Sequence, residues 1–173
     1  QTICIGHIDF QYLLAKSDHL RKFRNLSFQR LNLYTEDIFR QADELPGVKI
    51  GGQNITNLRY ADDTALMAET ANDLQAIVDV VKEESLKKGL KMNVKKTKTM
   101  VVSRNSEEPK VAIKVDGQVL EQVKSFKYLG QLITADGKTD TEIRRRIEIA
   151  RQNFINMRDV LTSRRIRSEE HTS

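Results

Sequence analysis

Apolar and polar positions alternate with different periods along this chain, and the changes of period mark its elements. Residues Gln1 to Arg30 show scattered apolar positions and no clean period. From Leu31 the pattern sharpens. Leu31, Tyr34, Ile38 and Leu45 can share one face of a helix that stops before Pro46-Gly47. Ile50 and the stretch Ile55 to Tyr60 then read as an extended approach, with Asp62-Asp63 at a turn and Thr64 to Ala68 leaving it, a β-hairpin pattern. Thr70 and Asp73 have the spacing of a capping box ahead of an amphipathic helix. Leu74, Ile77, Val78 and Val81 fall on its apolar face, Lys82, Glu83, Glu84 and Lys87 on its wet face, and Gly89 suits the left-handed residue that ends it. Short strands follow at Lys98 to Val102 and Ala112 to Val115, the second entering a hairpin at Asp116-Gly117, and another extended run covers Phe126 to Thr134. Thr139 and Glu142 give a second capping box. The helix after it places Ile143, Ile147, Ala150, Phe154, Met157 and Leu161 at alternating steps of four and three, with Arg144, Arg145, Arg151 and Arg158 around the remaining positions. Helix, hairpin, helix and strands in that order predict an α+β fold.

Composition narrows this little. The 173 residues suit one ordinary domain with a small appendage, and 39% hydrophobic with 31% charged residues is a globular mixture. With no Trp and few aromatics, the core is expected to be built from Ile, Leu and Val. A net charge of +5, with a basic cluster at Arg21, Lys22, Arg24 and Arg30, is compatible with a polyanionic partner. Cys4 is the only cysteine, which excludes an internal disulfide and a four-cysteine zinc site, and His7, His19 and His171 are too dispersed for a spaced metal motif. No apolar run is long enough to cross a bilayer and no secretory pattern opens the chain, so the expectation is an intracellular protein of the nucleus or cytoplasm, neither secreted nor bound to a membrane. The chain begins with Gln1 rather than Met, which reads as other than a natural start.

The chemistry centres on Asp62-Asp63. Asp is common in turns because its side chain satisfies nearby backbone groups, and that explanation suffices for most Asp-Asp pairs. The alternative is a tight turn that projects carboxylates rigidly into a cleft, where hard oxygen donors could hold divalent cations for phosphoryl transfer. One pair is not a complete site; a third carboxylate has to come from another strand.

Leu58-Arg59-Tyr60-Ala61-Asp62-Asp63-Thr64-Ala65-Leu66 resembles the central catalytic motif of reverse transcriptases, in the form used by non-LTR (LINE-type, RTE-like) retrotransposons. Further blocks follow in the order of that family. Asn32-Leu33-Tyr34-Thr35-Glu36 and Leu45-Pro46-Gly47 resemble the palm helix and the segment entering the hairpin. Gly89 to Thr97 resembles the block after the second palm helix, and Phe126-Lys127-Tyr128-Leu129-Gly130 the primer-grip hairpin. The resemblance covers about Leu31 to Ile166. It implies a palm subdomain over 31–135 (an antiparallel sheet with helices on one face), the start of a helical thumb over 136–166, and an RNA-directed DNA polymerase lineage. The implied partners are RNA template, DNA primer and deoxynucleoside triphosphates; oligomeric state is left open. It further implies Asp62 as principal metal ligand with Asp63 as its more weakly engaged neighbour in a two-metal Mg²⁺ site. Tyr60 and Ala61 would form the floor beneath nucleotide and primer end. Lys96 would be a general acid toward the leaving pyrophosphate, although it also reads as an exposed lysine in a basic run. Phe126, Tyr128, Leu129 and Gly130 would shape the primer-positioning hairpin.

The pattern also breaks. Where the family carries a block close to Arg-Gln-Gly-Cys-x-Leu-Ser-Pro, Arg21, Leu26 and Ser27 match, but Phe23 replaces the glycine and Phe28 the proline. Arg30 stands where an apolar helix residue is expected. Ile8-Asp9-Phe10 with Asp18-His19 faintly echoes the block that holds the third carboxylate, yet Ala-Phe-Asp is absent and too few residues separate Asp9 from the hairpin. Residues 1–30 therefore read as a degraded or aberrant segment, the fingers and endonuclease as missing, and 167–173 as an artefactual tail. On this reading the chain is a truncated fragment with an incomplete metal site and no activity alone. The competing reading is a non-catalytic nucleic-acid-binding remnant or a decayed copy.

Overall fold

The computed structural model describes residues 2–8, 10–12, 36–60, 63–103 and 109–162. They form two compact units, 1–137 and 138–173. In the first, β1 (Thr2–Ile8) and β2 (Phe10–Tyr12) precede a short helix α1, described over 36–40, and a 3₁₀ turn at Ala42–Glu44. Strands β3 (Val48–Ile50), β4 (Gln53–Ile55), β5 (Asn57–Tyr60) and β6 (Asp63–Ala68) lead to helix α2 (Ala71–Lys87). Then come β7 (Leu90–Met92), β8 (Lys98–Ser103), β9 (Lys114–Val115), β10 (Gln118–Val119), β11 (Glu121–Gln122), β12 (Ser125–Tyr128) and β13 (Gln131–Thr134). The second unit holds α3 (Asp140–Leu161). The fold is α+β.

A five-stranded sheet in the order β11-β8-β1-β6-β5 organises the first unit, antiparallel except for β11 beside β8. Its central strand is β1, in the stretch whose apolar positions show no period. It pairs with β6 on one edge and β8 on the other, and Thr-Ile-Cys-Ile-Gly-His-Ile carries β propensity without a polar alternation. The alternation of β6 and β8 divides two cores. Leu66, Ala68 and Val101 meet Leu74, Ile77, Val78 and Val81 of α2, while Ala65, Met67 and Met100 meet Tyr128, Val48 and Ala135 on the opposite face. Each of the four α2 side chains is fully buried, a stabilisation of about 1.5–3 kcal/mol apiece.

Local chemistry sets the element ends. The Thr70 hydroxyl accepts from the Asp73 backbone N–H at 3.1 Å, capping α2, and Gly89 ends it at φ 75°. Glu84, expected on the wet face of α2, is buried beside Ser85 and held by the Lys87 ammonium at 2.6 Å. The helix expected over Leu31 to Leu45 is described as α1 followed by the 3₁₀ turn; Ile38 is buried as anticipated, and Phe39 is buried with it under the Arg59 guanidinium, 5.0 Å from the ring centre. Leu31 and Tyr34 lie outside the described residues. The second expected capping box does not form. Thr139 makes no capping hydrogen bond with its side chain, because its backbone is already helical (φ −97°, ψ −7°) and Glu142 is engaged by Arg145 and Arg146.

Gly47 answers a close approach. A Cβ there would lie 2.3 Å from the Ile55 carbonyl oxygen, so no side chain fits. The Asn54 side chain fixes the same corner, accepting from Gly47 N–H and donating to the Leu45 carbonyl, both at 2.8 Å.

Candidate active site

Strands β5 and β6 pair as Asn57↔Leu66, Leu58↔Ala65, Arg59↔Thr64 and Tyr60↔Asp63. Asp63 is therefore the first residue of β6 rather than part of the connection, which consists of positions 61 and 62. Ala61 and Asp62, two of the expected site residues, lie outside the described residues, as does Asp9. Tyr60 is two-thirds exposed and Asp63 half-buried.

Successive rows across the sheet show what converges on this end. Leu58, Ala65, His7, Lys98 and Glu121 form one row, and Arg59, Thr64 and Ile8 form the next toward the turn. Tyr60 and Asp63 close the series. The C-terminal end of β1 and the N-terminal end of β8 thus reach the same end of the sheet as the β5–β6 turn. Lys98 is ion-paired with Glu121 there. Lys96 precedes β8 in a tight loop in which Asn93 C=O accepts from the Lys96 N–H (3.1 Å), the Thr97 N–H (2.8 Å) and the Thr97 hydroxyl (2.9 Å). Its side chain is exposed.

The β12–β13 hairpin packs on the face of the sheet opposite α2. Tyr128 is almost fully buried, and its hydroxyl donates to the Leu58 carbonyl at 3.1 Å. Burial first, and the negative charge of Asp63 second, push the Tyr128 phenol above its ordinary pKa. Both effects disfavour a phenolate. Phe126 packs partly buried against the same core. The hairpin turns at Leu129 (φ 49°) and Gly130 (φ 82°), with Tyr128 opposite Gln131. Two successive positive φ values make a primed turn, and a leucine in that conformation is rare. Leu58, read from sequence only as a flank of the Asp-Asp motif, supplies the acceptor that ties the two hairpins together. No sequence signal marks this role, because the acceptor is a backbone carbonyl on an edge strand.

Among the described residues no three potential ligand side chains form a metal-binding cluster, and no described helix is long and apolar enough to cross a membrane.

Residues 25–133 match the model of the reverse transcriptase (RNA-dependent DNA polymerase) family. The chain is 31% identical over 125 residues to an uncharacterised transposon-derived protein of Caenorhabditis elegans, a match covering 69% of this chain and 44% of that protein. It is 27% identical over 121 residues to the retrovirus-related Pol polyprotein from the type-1 retrotransposable element R2 of Nasonia vitripennis, covering 65% of this chain and 12% of that polyprotein. The chain thus spans less than half the length of either relative. A family match over more than half of the sequence, with the Asp63-bearing hairpin inside it, shows that this chain belongs to the reverse transcriptase family.

Proposed function

We propose that the end of the sheet at Asp63 is the metal-holding half of a nucleotidyl-transfer site, in the palm of an RNA-directed DNA polymerase of a non-LTR retrotransposon. The palm in this reading is 31–135 together with β1, and the unit bearing α3 begins the thumb. The observation that carries the proposal is the register of β1. Ile8 is paired with Thr64, and Thr64 follows Asp63. Asp9 follows Ile8 by one covalent step of about 3.8 Å between Cα atoms. The sequence spacing argued against Asp9 as third carboxylate; the strand pairing argues for it, because separation along the chain does not limit a strand that pairs across the sheet.

The donor set suits Mg²⁺: carboxylate oxygens from Asp62 and Asp63, and from Asp9, with substrate phosphates and water completing the shell. Bound there, such cations supply charge stabilisation at the transferring phosphoryl group. The chain's own residues provide the rest. Tyr60 and Ala61 floor the nucleotide and primer end, and Lys96 presents an ammonium able to protonate a leaving pyrophosphate. The Tyr128 hydroxyl holds β5 against the primer-positioning turn at Leu129-Gly130.

Mn²⁺ titration followed by water-proton relaxation tests the site. Saturable binding is expected, weakened at least about tenfold by Asp63→Ala or Asp9→Ala; unchanged affinity in the Asp9→Ala/Asp62→Ala/Asp63→Ala triple variant would falsify the assignment. In primer extension on an RNA template with Mg²⁺, the chain alone is expected to incorporate no more than its Asp62→Ala variant. The reason is Phe23, which stands where the family's glycine leaves room for nucleotide and template. Incorporation that Asp62→Ala abolishes would overturn that expectation.

A further inference from the structure

We propose that Lys98 binds the polyphosphate tail of a nucleotide on the sheet face that carries Asp63, and that Glu121 holds the lysine aside until that ligand arrives. Asp63 serves here as the anchor of the tail, which rests on the metal site proposed above. Alternate residues of a strand share a face, so Asp63 lies on the side of Ala65 and Met67, and Lys98 on the side of Met100. Ala65, Met67 and Met100 belong to one core, which puts Asp63 and Lys98 on one face of the sheet. Each is the first residue of its strand, and both strands begin at the same end: Lys98 pairs with His7 of β1, which pairs with Ala65 of β6. Two strand spacings and one two-residue step separate the pair, about 12 Å between Cα atoms. A lysine stem spans roughly half of that, and a chain of phosphates anchored at Asp63 covers the remainder.

The Lys98 ammonium is ion-paired with Glu121 on β11, the strand one place farther from Asp63. The carboxylate therefore draws it outward, away from the anchor. With side chains 28% and 65% exposed, this is a weak pair, open to exchange. Strand β11 does not depend on it for its place. The Val123 N–H donates to the Thr99 carbonyl at 2.8 Å, and Glu121 and Gln122 pair with Lys98 and Thr99 through the backbone. An ammonium offers three donors, and a polyphosphate brings more charge and more acceptor oxygens than one carboxylate. Lys98 then balances charge without giving up a proton, a task separate from the one proposed for Lys96.

Calorimetric titration of the full chain with inorganic tripolyphosphate at low salt tests this, first without metal. Saturable binding is expected, weakened at least about fivefold by Lys98→Met and largely restored by Lys98→Arg, with the circular dichroism of the parent throughout. Glu121→Gln is expected to tighten binding at least about threefold in the parent and to change nothing in the Lys98→Met background, because the gain comes from the released lysine. An equal gain in both backgrounds would reduce the effect to general electrostatics and overturn the proposal. So would an affinity indifferent to Lys98, or no binding at all. An RNA–DNA duplex whose affinity follows Lys98 and Glu121 where tripolyphosphate does not would assign the lysine to a nucleic-acid backbone instead. With Mn²⁺ present, a missing metal site shows separately, as equal affinities of the parent and Asp63→Ala whatever the Lys98 variants do.

Discussion

At the scale of single residues, the absent side chain of Gly47 and the buried phenol of Tyr128 each hold two segments of the first unit together. Gly47 is required because the Ile55 carbonyl occupies the space of a Cβ, so Gly47→Ala is expected to lower stability by about 1–3 kcal/mol in chemical denaturation. An unchanged midpoint would show that the corner yields freely. Tyr128 buries a phenol whose hydroxyl reaches the Leu58 carbonyl. Replacing it by Phe removes that hydrogen bond while the Leu58 carbonyl keeps its place in the β5–β6 ladder, an expected loss of about 0.5–1.5 kcal/mol. The same residue carries a pH signature. Its pKa is raised on folding, so the folded state holds the proton more tightly. That contribution is whole below the unfolded value of about 10 and is lost as pH rises through the higher folded value. Alkaline denaturation of Tyr128→Phe should therefore be flatter above about pH 10 than that of the parent; parallel curves would remove the argument. The Asp62-Asp63 pair was legible as a motif in the sequence. The tie between Leu58 and Tyr128 was not, because a backbone acceptor leaves no mark in residue identity.

Among the elements, legibility followed periodicity. Helix α2 announced itself by its cap, its four buried apolar positions and its terminal glycine, all of which the fold retains. Thr70→Ala is expected to destabilise it by about 1 kcal/mol, read as a shift of the denaturation midpoint, and no shift would mean Asp73 finds another partner. The Asp116-Gly117 turn was equally readable, since both residues take the positive φ that such dipeptides favour. The turn at Leu129-Gly130 has the same geometry with a residue that seldom adopts it, so propensity alone could not have specified it. Strand β1 escaped because its seven residues show no alternation of apolar and polar positions and the residues after it carry no clean period. Capping statistics misled at Thr139, where the second partner of the box, Glu142, is drawn off by two arginines.

The molecule as a whole follows from where the ends of the chain go. Sequence separation seemed to put Asp9 out of reach of the hairpin, yet β1 runs between β6 and β8 and delivers Ile8 beside Thr64. If the carboxylates at that end share cations, saturating Mn²⁺ should raise the unfolding temperature of the parent more than that of Asp63→Ala, by the ordinary linkage of ligand binding to folding. Equal shifts in both would place the ion elsewhere. The central place of β1 also governs how the chain can be made and cut. The residues of β1 cannot find their neighbours until β6 and then β8 have been synthesised, so assembly of the sheet is a late, long-range event. A version begun after Ile8 would split the sheet into β5–β6 and β8–β11, baring an edge of β6 and an edge of β8. Two bare edges of that kind invite strands from other chains, and the expected outcome is a protein that expresses into aggregates.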